Sequence, residues 1–265
     1  MQIDISLLKA RIYHSLKSIF TPGGTLPPRL LEYASCEAFG FEHVGDGNFY
    51  ADGVKGAVQA SIKTRTLNPH ILKTKTGRNF QSHPALFLGP SQNVKQNKWT
   101  NGLEIVQRRQ ALNFDDIQAS PEEIGAASLS GFLKNVQESF DKYQTTSSQE
   151  IIGIHGYDHT GEFYLVSLFW KEYTHIDPTT LSWKKEGSGV SGYMRDNDID
   201  YKIVERINGN SKREATCFKE YKNLLKYENS VKIKVPIPES WPFDKSSILT
   251  EINLKEQNFV NHLFA

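Results

Sequence analysis

Apolar Ile5, Leu7, Leu8, Ile12, Leu16 and Ile19 recur near helical spacing, which predicts an amphipathic helix over residues 4–20. The run Thr21-Pro-Gly-Gly-Thr-Leu-Pro-Pro28 breaks it, and Pro28 suits the first turn of a second helix over roughly 28–38. That helix carries Glu32 and Glu37 and ends at Gly40. Three short extended signals follow: Phe41–Val44, Phe49–Val54 and Ala57–Thr64. Gly45-Asp-Gly-Asn48 separates the first two, and Lys55-Gly56 is a two-residue hairpin candidate between the second and third. Residues 65–101 have no period and read as a long loop, a length that inside a folded domain usually carries function. Helices are expected over 101–112 and 121–142, the latter opening on Ser120-Pro-Glu-Glu123 with a cap, a first-turn proline and two acids.

Ile151–His155 and Phe163–Trp170 read as buried strands joined by Gly156-Tyr-Asp-His-Thr-Gly161. A glycine-rich stretch at 187–192 precedes a charged strand near 201–207, a helix near 214–227, a strand near 230–235 and a helical tail over 247–264. The order through the middle of the chain is α-β-β-β-α-β, which predicts an α/β (α+β) fold with a mixed central sheet flanked by helices. Residues 1–170 form the expected core and 171–265 an elaboration of the same domain.

The third strand concentrates the chemistry. Strand alternation puts Gln59, Ser61 and Lys63 on one face, with Val58, Ala60 and Ile62 on the other. The apolar set packs into a core, so the polar set projects into a cleft. A short turn at Lys55-Gly56 makes the two strands antiparallel neighbours and brings Asp52 within reach of Lys63. An acid beside a lysine is the minimal apparatus of metal-dependent phosphodiester cleavage. The carboxylate binds a divalent ion through hard oxygens, while the ammonium positions water or offsets transition-state charge. Taken alone, the same pair also reads as an ordinary cross-strand ion pair.

Charge changes that balance. The chain has 31 Lys and Arg against 30 Asp and Glu, yet the window from Gly53 to Leu103 holds Lys55, Lys63, Arg65, Lys73, Lys75, Arg78, Lys95 and Lys98 with no acid at all. A local positive field of this kind attracts polyanions whatever the net charge. Composition otherwise describes a folded globular chain, at 38% hydrophobic and 23% charged residues. Two cysteines, Cys36 and Cys217, are too few for a disulfide framework or a four-thiolate zinc site and read as buried thiols of a reducing, cytoplasmic interior. The longest apolar run, Phe163–Trp170, falls well short of the ~20 residues a membrane helix needs, so no membrane partner is expected.

In this setting Asp52 followed by Ala57-Val-Gln-Ala-Ser-Ile-Lys-Thr-Arg65 resembles the PD-(D/E)xK nuclease superfamily, which includes most type II restriction endonucleases. The resemblance spans residues 28–155 and implies a restriction-endonuclease-like core, Mg²⁺-dependent cleavage of double-stranded DNA, and a homodimer suited to palindromic targets. Ala51 stands where that family has proline, and Ser61 stands two positions before Lys63 where it has an acid. One group of restriction endonucleases carries Ser-x-Lys here and recruits the missing carboxylate from a helix. The acid-free window leaves Glu37, Glu42 and Glu104 as donors, with Glu37 expected first and Glu104 second; Gln59 is an alternative ligand through its amide oxygen. The resemblance thus implies catalysis by Asp52, Lys63, Ser61, Gln59 and Glu37, with metal held by Asp52 and by Glu37 or Glu104. Arg65, Lys73, Lys75, Arg78, Asn79 and Gln81, with Thr64, Thr66 and Arg108-Arg109, would contact DNA phosphates and base edges. The basic segment alone equally suits a DNA-binding protein without catalysis.

Other constellations are weaker. His155-Gly-Tyr-Asp-His159 has metal-ligand residue types, but a turn rich in Gly and Asp is expected between two apolar strands. Gly187-Ser-Gly-Val-Ser-Gly192 lacks the Gly-Lys-Ser/Thr of a phosphate-binding loop, and Ser167 lacks the flanking glycines of a nucleophile elbow.

Overall fold

A computed structural model describes residues 1–17, 26–44, 49–67, 91–93, 120–158, 162–173, 175, 177–186, 189–196, 199–208, 213–215, 217–218 and 229–238. Helix α1 spans Ile5–Leu16, its N-terminus capped by the Asp4 carboxylate, which accepts from the Leu7 N–H. Helix α2 spans Pro28–Phe39 and stops at Gly40, whose φ of 73° places it in the left-handed conformation that closes helices. Three strands follow, β1 (Glu42–His43), β2 (Gly53–Lys55) and β3 (Val58–Leu67). Beyond β4 (Ser91–Asn93) lies helix α3, Pro121–Tyr143, opened by a reciprocal capping box between Ser120 and Glu123. Next come β5 (Ser147–Tyr157), β6 (Phe163–Glu172), β7 (Ser182–Glu186), β8 (Gly189–Asp196), β9 (Ile199–Asn208), β10 (Arg213–Ala215), β11 (Cys217–Phe218) and β12 (Asn229–Pro236).

The central sheet has the order β1-β2-β3-β5-β6-β12. All its pairs are antiparallel except β3–β5, which run parallel, as a connection carrying a crossover helix allows. The class is therefore α/β with a mixed sheet. On one face Ala60 and Ile62 of β3, Tyr164, Val166 and Leu168 of β6, and Ile233 and Val235 of β12 join Leu8, Ile12 and Leu16 of α1 and Leu31, Ala34 and Phe39 of α2 in one buried cluster. The opposite face carries Gln59 and Ser61, and α3 reaches it through Ser139.

Three expectations change. The second strand is shorter than Phe49–Val54, because Phe49 and Tyr50 lie in a bend that leads into Asp52. Residues 213–215 and 217–218 are extended, where a helix over 214–227 was expected; pairing with β4 and β9 supplies backbone partners that outweigh local propensity. The glycines at 189 and 192 belong to strand β8 of a second, four-stranded sheet, order β11-β9-β8-β7. The expected helices over 101–112 and 247–264 lie outside the described residues.

The second sheet docks on α3 through Trp183, whose indole is buried. A Cβ on Gly125 of α3 would lie 2.0 Å from Trp183 Cδ2 and 2.1 Å from Cε3, and one on Gly192 would lie 2.9 Å from Cζ3. Gly125 is thus present for close approach, despite its low helix propensity. Gly125→Ala should destabilise the protein by about 1–3 kcal/mol even though alanine favours the helix, because the indole has to move. Urea denaturation of the two proteins measures it, and equal or greater stability of the variant would contradict this docking.

Candidate active site

The hairpin between β2 and β3 pairs Gly53 with Ala60, Val54 with Gln59 and Lys55 with Val58, turning at Gly56, whose φ is 56°. Asp52 extends this ladder by one residue: its N–H donates to Ala60 O at 2.8 Å, and its own carbonyl accepts from Val44 N at 3.1 Å. With the backbone held on both sides, the carboxylate turns toward β3. Its Oδ2 accepts from the Ile62 N–H at 2.7 Å and from Lys63 Nζ at 3.0 Å. The two side chains keep 23% and 31% of their surface exposed, so the pair is open to solvent.

Cys36 and Gly53 support Asp52 from beneath. The buried Cys36 thiol donates to the Asp52 carbonyl at 3.6 Å, and a Cβ on Gly53 would lie 2.7 Å from Cys36 Sγ. Burial, then the charges of Asp52, Glu32 and Glu37, push the thiol up to about 12. It stays protonated and is no nucleophile.

The carboxylate electrostatically coupled to Asp52 and Lys63 is Glu32 of α2. Burial raises its proton affinity most, the Asp52 charge raises it further, and Lys63 and Arg29 act in the opposite direction. Glu37, the donor expected first, instead forms an ion pair with Arg11 of α1, at 2.6 Å to Nε and 2.8 Å to Nη2. Residues five apart on a helix are roughly 140° apart around its axis, so Glu37 can be engaged by α1 while Glu32 feels the Asp52 charge. The signal that picks out Glu32 is its position one turn before Cys36, whose thiol touches the Asp52 backbone.

The remaining expected residues separate into groups. Glu42 is exposed on β1, paired with Val54. Gln59 is fully buried with its Oε1 accepting from Ser139 Oγ at 2.8 Å, so its amide oxygen is engaged with α3 rather than turned to a ligand. Ser61 is buried between the level of Asp52 and Glu150 of β5, its partner in the parallel ladder, and Glu150 pairs with Lys171 at 3.6 Å. Arg65 sits in β3 opposite Ile154. Lys73, Lys75, Arg78, Asn79, Gln81, Glu104 and Arg108-Arg109 lie outside the described residues.

No protein-family model, no curated protein and no solved structure matches the chain. Among the described residues no helix is long and apolar enough to cross a membrane, and no group of three His, Cys, Asp or Glu side chains is placed to hold a metal. The His155 segment belongs to the core: its Nδ1 lies 2.6 Å from Tyr164 OH, which itself accepts from the Leu26 N–H, and burial lowers the imidazole to about 4, so it is neutral. The Asp158 carboxylate accepts from the Glu162 and Phe163 N–H groups and closes the following turn.

Glu32, whose proton affinity is raised by burial and then by the Asp52 charge, brings a second set of hard carboxylate oxygens toward Asp52 and Lys63, the ligand chemistry that a divalent ion takes. The electrostatics also make a direct prediction. Because the folded state raises the Glu32 proton affinity, its favourable contribution is full below the ordinary glutamate value of 4.5 and is lost as pH rises through the folded value. Glu32→Gln should therefore raise the thermal midpoint by roughly 1–3 °C at pH 8 relative to the parent, with the gain vanishing near pH 4. Melting curves at the two pH values measure it, and a pH-independent difference would remove Glu32 from the site.

Proposed function

We propose that this chain is a Mg²⁺-dependent, sequence-specific double-stranded DNA endonuclease of type II restriction kind, built on a restriction-endonuclease-like core. The observation that carries the reading is the 3.0 Å contact between Lys63 Nζ and Asp52 Oδ2 in a part-exposed pair. Its context supports it: the order α2, β1, β2, β3, α3, β5 around a mixed sheet, and an acid-free basic window that begins at the following residue.

The chemistry assigns each group a task. Asp52 and Glu32 would hold the cation, Glu32 taking the place expected of Glu37. Mg²⁺ bound there supplies Lewis-acid polarisation of the phosphate. Lys63 donates from its ammonium to a non-bridging phosphate oxygen or to the attacking water, offsetting charge as the phosphorus becomes five-coordinate. Water adds to phosphorus and gives up a proton to solvent, one ester P–O bond breaks, and the leaving alkoxide takes up a proton from solvent. Arg65, Lys73, Lys75 and Arg78 would contact the phosphate backbone, Asn79 and Gln81 base edges, and a homodimer would match a palindromic target.

A second reading, a DNA-binding protein without catalysis, is favoured by Ser61 in the acid position. One assay separates the two: incubation with mixed-sequence plasmid in Mg²⁺ and in EDTA. Discrete fragments in Mg²⁺ alone are expected, with Lys63→Ala slowing cleavage by ~10²-fold or more while DNA retention changes little. Asp52→Ala should abolish metal-dependent cutting. Retardation of plasmid without fragments would establish the second reading, and an Asp52→Ala protein that still cuts would place the site elsewhere.

A further inference from the structure

Ser139 of α3 is fully buried, as is Gln59, and Ala51 between them is only 1% exposed. Its hydroxyl has both its roles assigned. Ser139 Oγ donates to Gln59 Oε1 at 2.8 Å and accepts from the Ala51 N–H at 3.2 Å. Ala51 precedes β2, so its N–H lies before the first paired residue of the hairpin ladder, Gly53. The serine takes the place of a strand at the residue immediately before Asp52.

We propose that Ser139, oriented by Gln59, is a positioning residue that sets the Asp52 carboxylate against Ile62 and Lys63. The inference rests on the nuclease reading for its catalytic consequence, but its geometry stands independently of that reading. The path is short. The Ala51 peptide is held by α3, the Asp52 N–H is held by Ala60 O at 2.8 Å, and the Asp52 carboxylate lands 2.7 Å from the Ile62 N–H. Release of the Ala51 N–H leaves one side of this turn unsupported and frees the carboxylate to shift. Displacements of about 1 Å in a reacting constellation cost on the order of 10²-fold in rate. Gln59 then has a role other than metal ligation: its amide oxygen fixes the serine rotamer, and the Gln59 Nε2 is left buried without a partner.

The test compares Ser139→Ala, Ser139→Thr and Ser35→Ala in the full chain. Ser35 is a fully buried helical serine whose hydroxyl has no partner, so it controls for loss of a core hydroxyl. In Mg²⁺-dependent plasmid cleavage, Ser139→Ala should lower kcat by roughly 10- to 100-fold while KM for DNA stays within about threefold. Ser139→Thr, which keeps the oxygen, should recover most of the rate, and Ser35→Ala should resemble the parent. Amide hydrogen exchange reads the geometry without any activity: Ser139→Ala should speed exchange at Ala51 and also at Ile62, by about tenfold or more. A merely structural serine would leave Ile62 unaffected. Unchanged exchange at Ile62, or a Ser35→Ala protein as slow as Ser139→Ala, would overturn the proposal. If the parent does not cut at all, the nuclease reading falls, and the exchange at Ala51 and Ile62 alone decides the positioning.

Discussion

A carboxylate shared between a backbone N–H and an ammonium organises the end of the β2–β3 hairpin into a single geometry: Asp52 Oδ2 accepts from both Ile62 N–H and Lys63 Nζ. The tight turn at Gly56 makes this possible, because it returns the chain antiparallel and sets Asp52 one step past the Gly53–Ala60 pair. A one-residue slip would send Lys63 to the opposite face, so the register of this hairpin is the constraint on which the site depends. Burial of Ala60 and Ile62 in the apolar cluster holds that register, since a slip would drive Gln59, Ser61 and Lys63 into it instead.

Two helices act on the hairpin from opposite sides. Helix α2 lies on the apolar face and contributes Cys36 beneath the Asp52 backbone and Glu32 beside the Asp52 charge. Helix α3 lies on the polar face and contributes Ser139 to the Ala51 N–H. Helix α2 approaches the hairpin so closely that Gly53 has no space for a Cβ against Cys36. At its other end α3 receives Trp183 against Gly125, so the same helix joins the second sheet to the central one. The edge strand β12 comes from late in the chain and pairs with β6 throughout its length, which makes the central sheet a product of both ends of the sequence.

Much of this was legible locally. The α-β-β-β-α-β order, the Gly40 stop, the Ser120 cap and a hairpin near Gly56 each depend on residues within a few positions of one another, although the two loop residues are Gly56 and Ala57 rather than the expected Lys55 and Gly56, because Lys55 pairs with Val58. The contact of Asp52 with Lys63 follows from the same short-range rules, since pleat and turn together determine which side chains meet. The strands at 213–218 were not legible, because their partners are β4 and β9 and no local pattern announces them.

The sequence by itself determined the alternation of β3, the turn that opposes it to Asp52, and the basic window that follows. Only the tertiary structure decided that Glu37 is engaged by Arg11 of α1 while Glu32 feels the Asp52 charge, and that the Gln59 oxygen is engaged by α3. Those choices depend on Arg11 meeting Glu37 across 26 residues and Ser139 meeting Gln59 across 80. Local propensity states which residues share a strand or a helix, whereas the rotation of a helix against its sheet is settled by packing between distant segments.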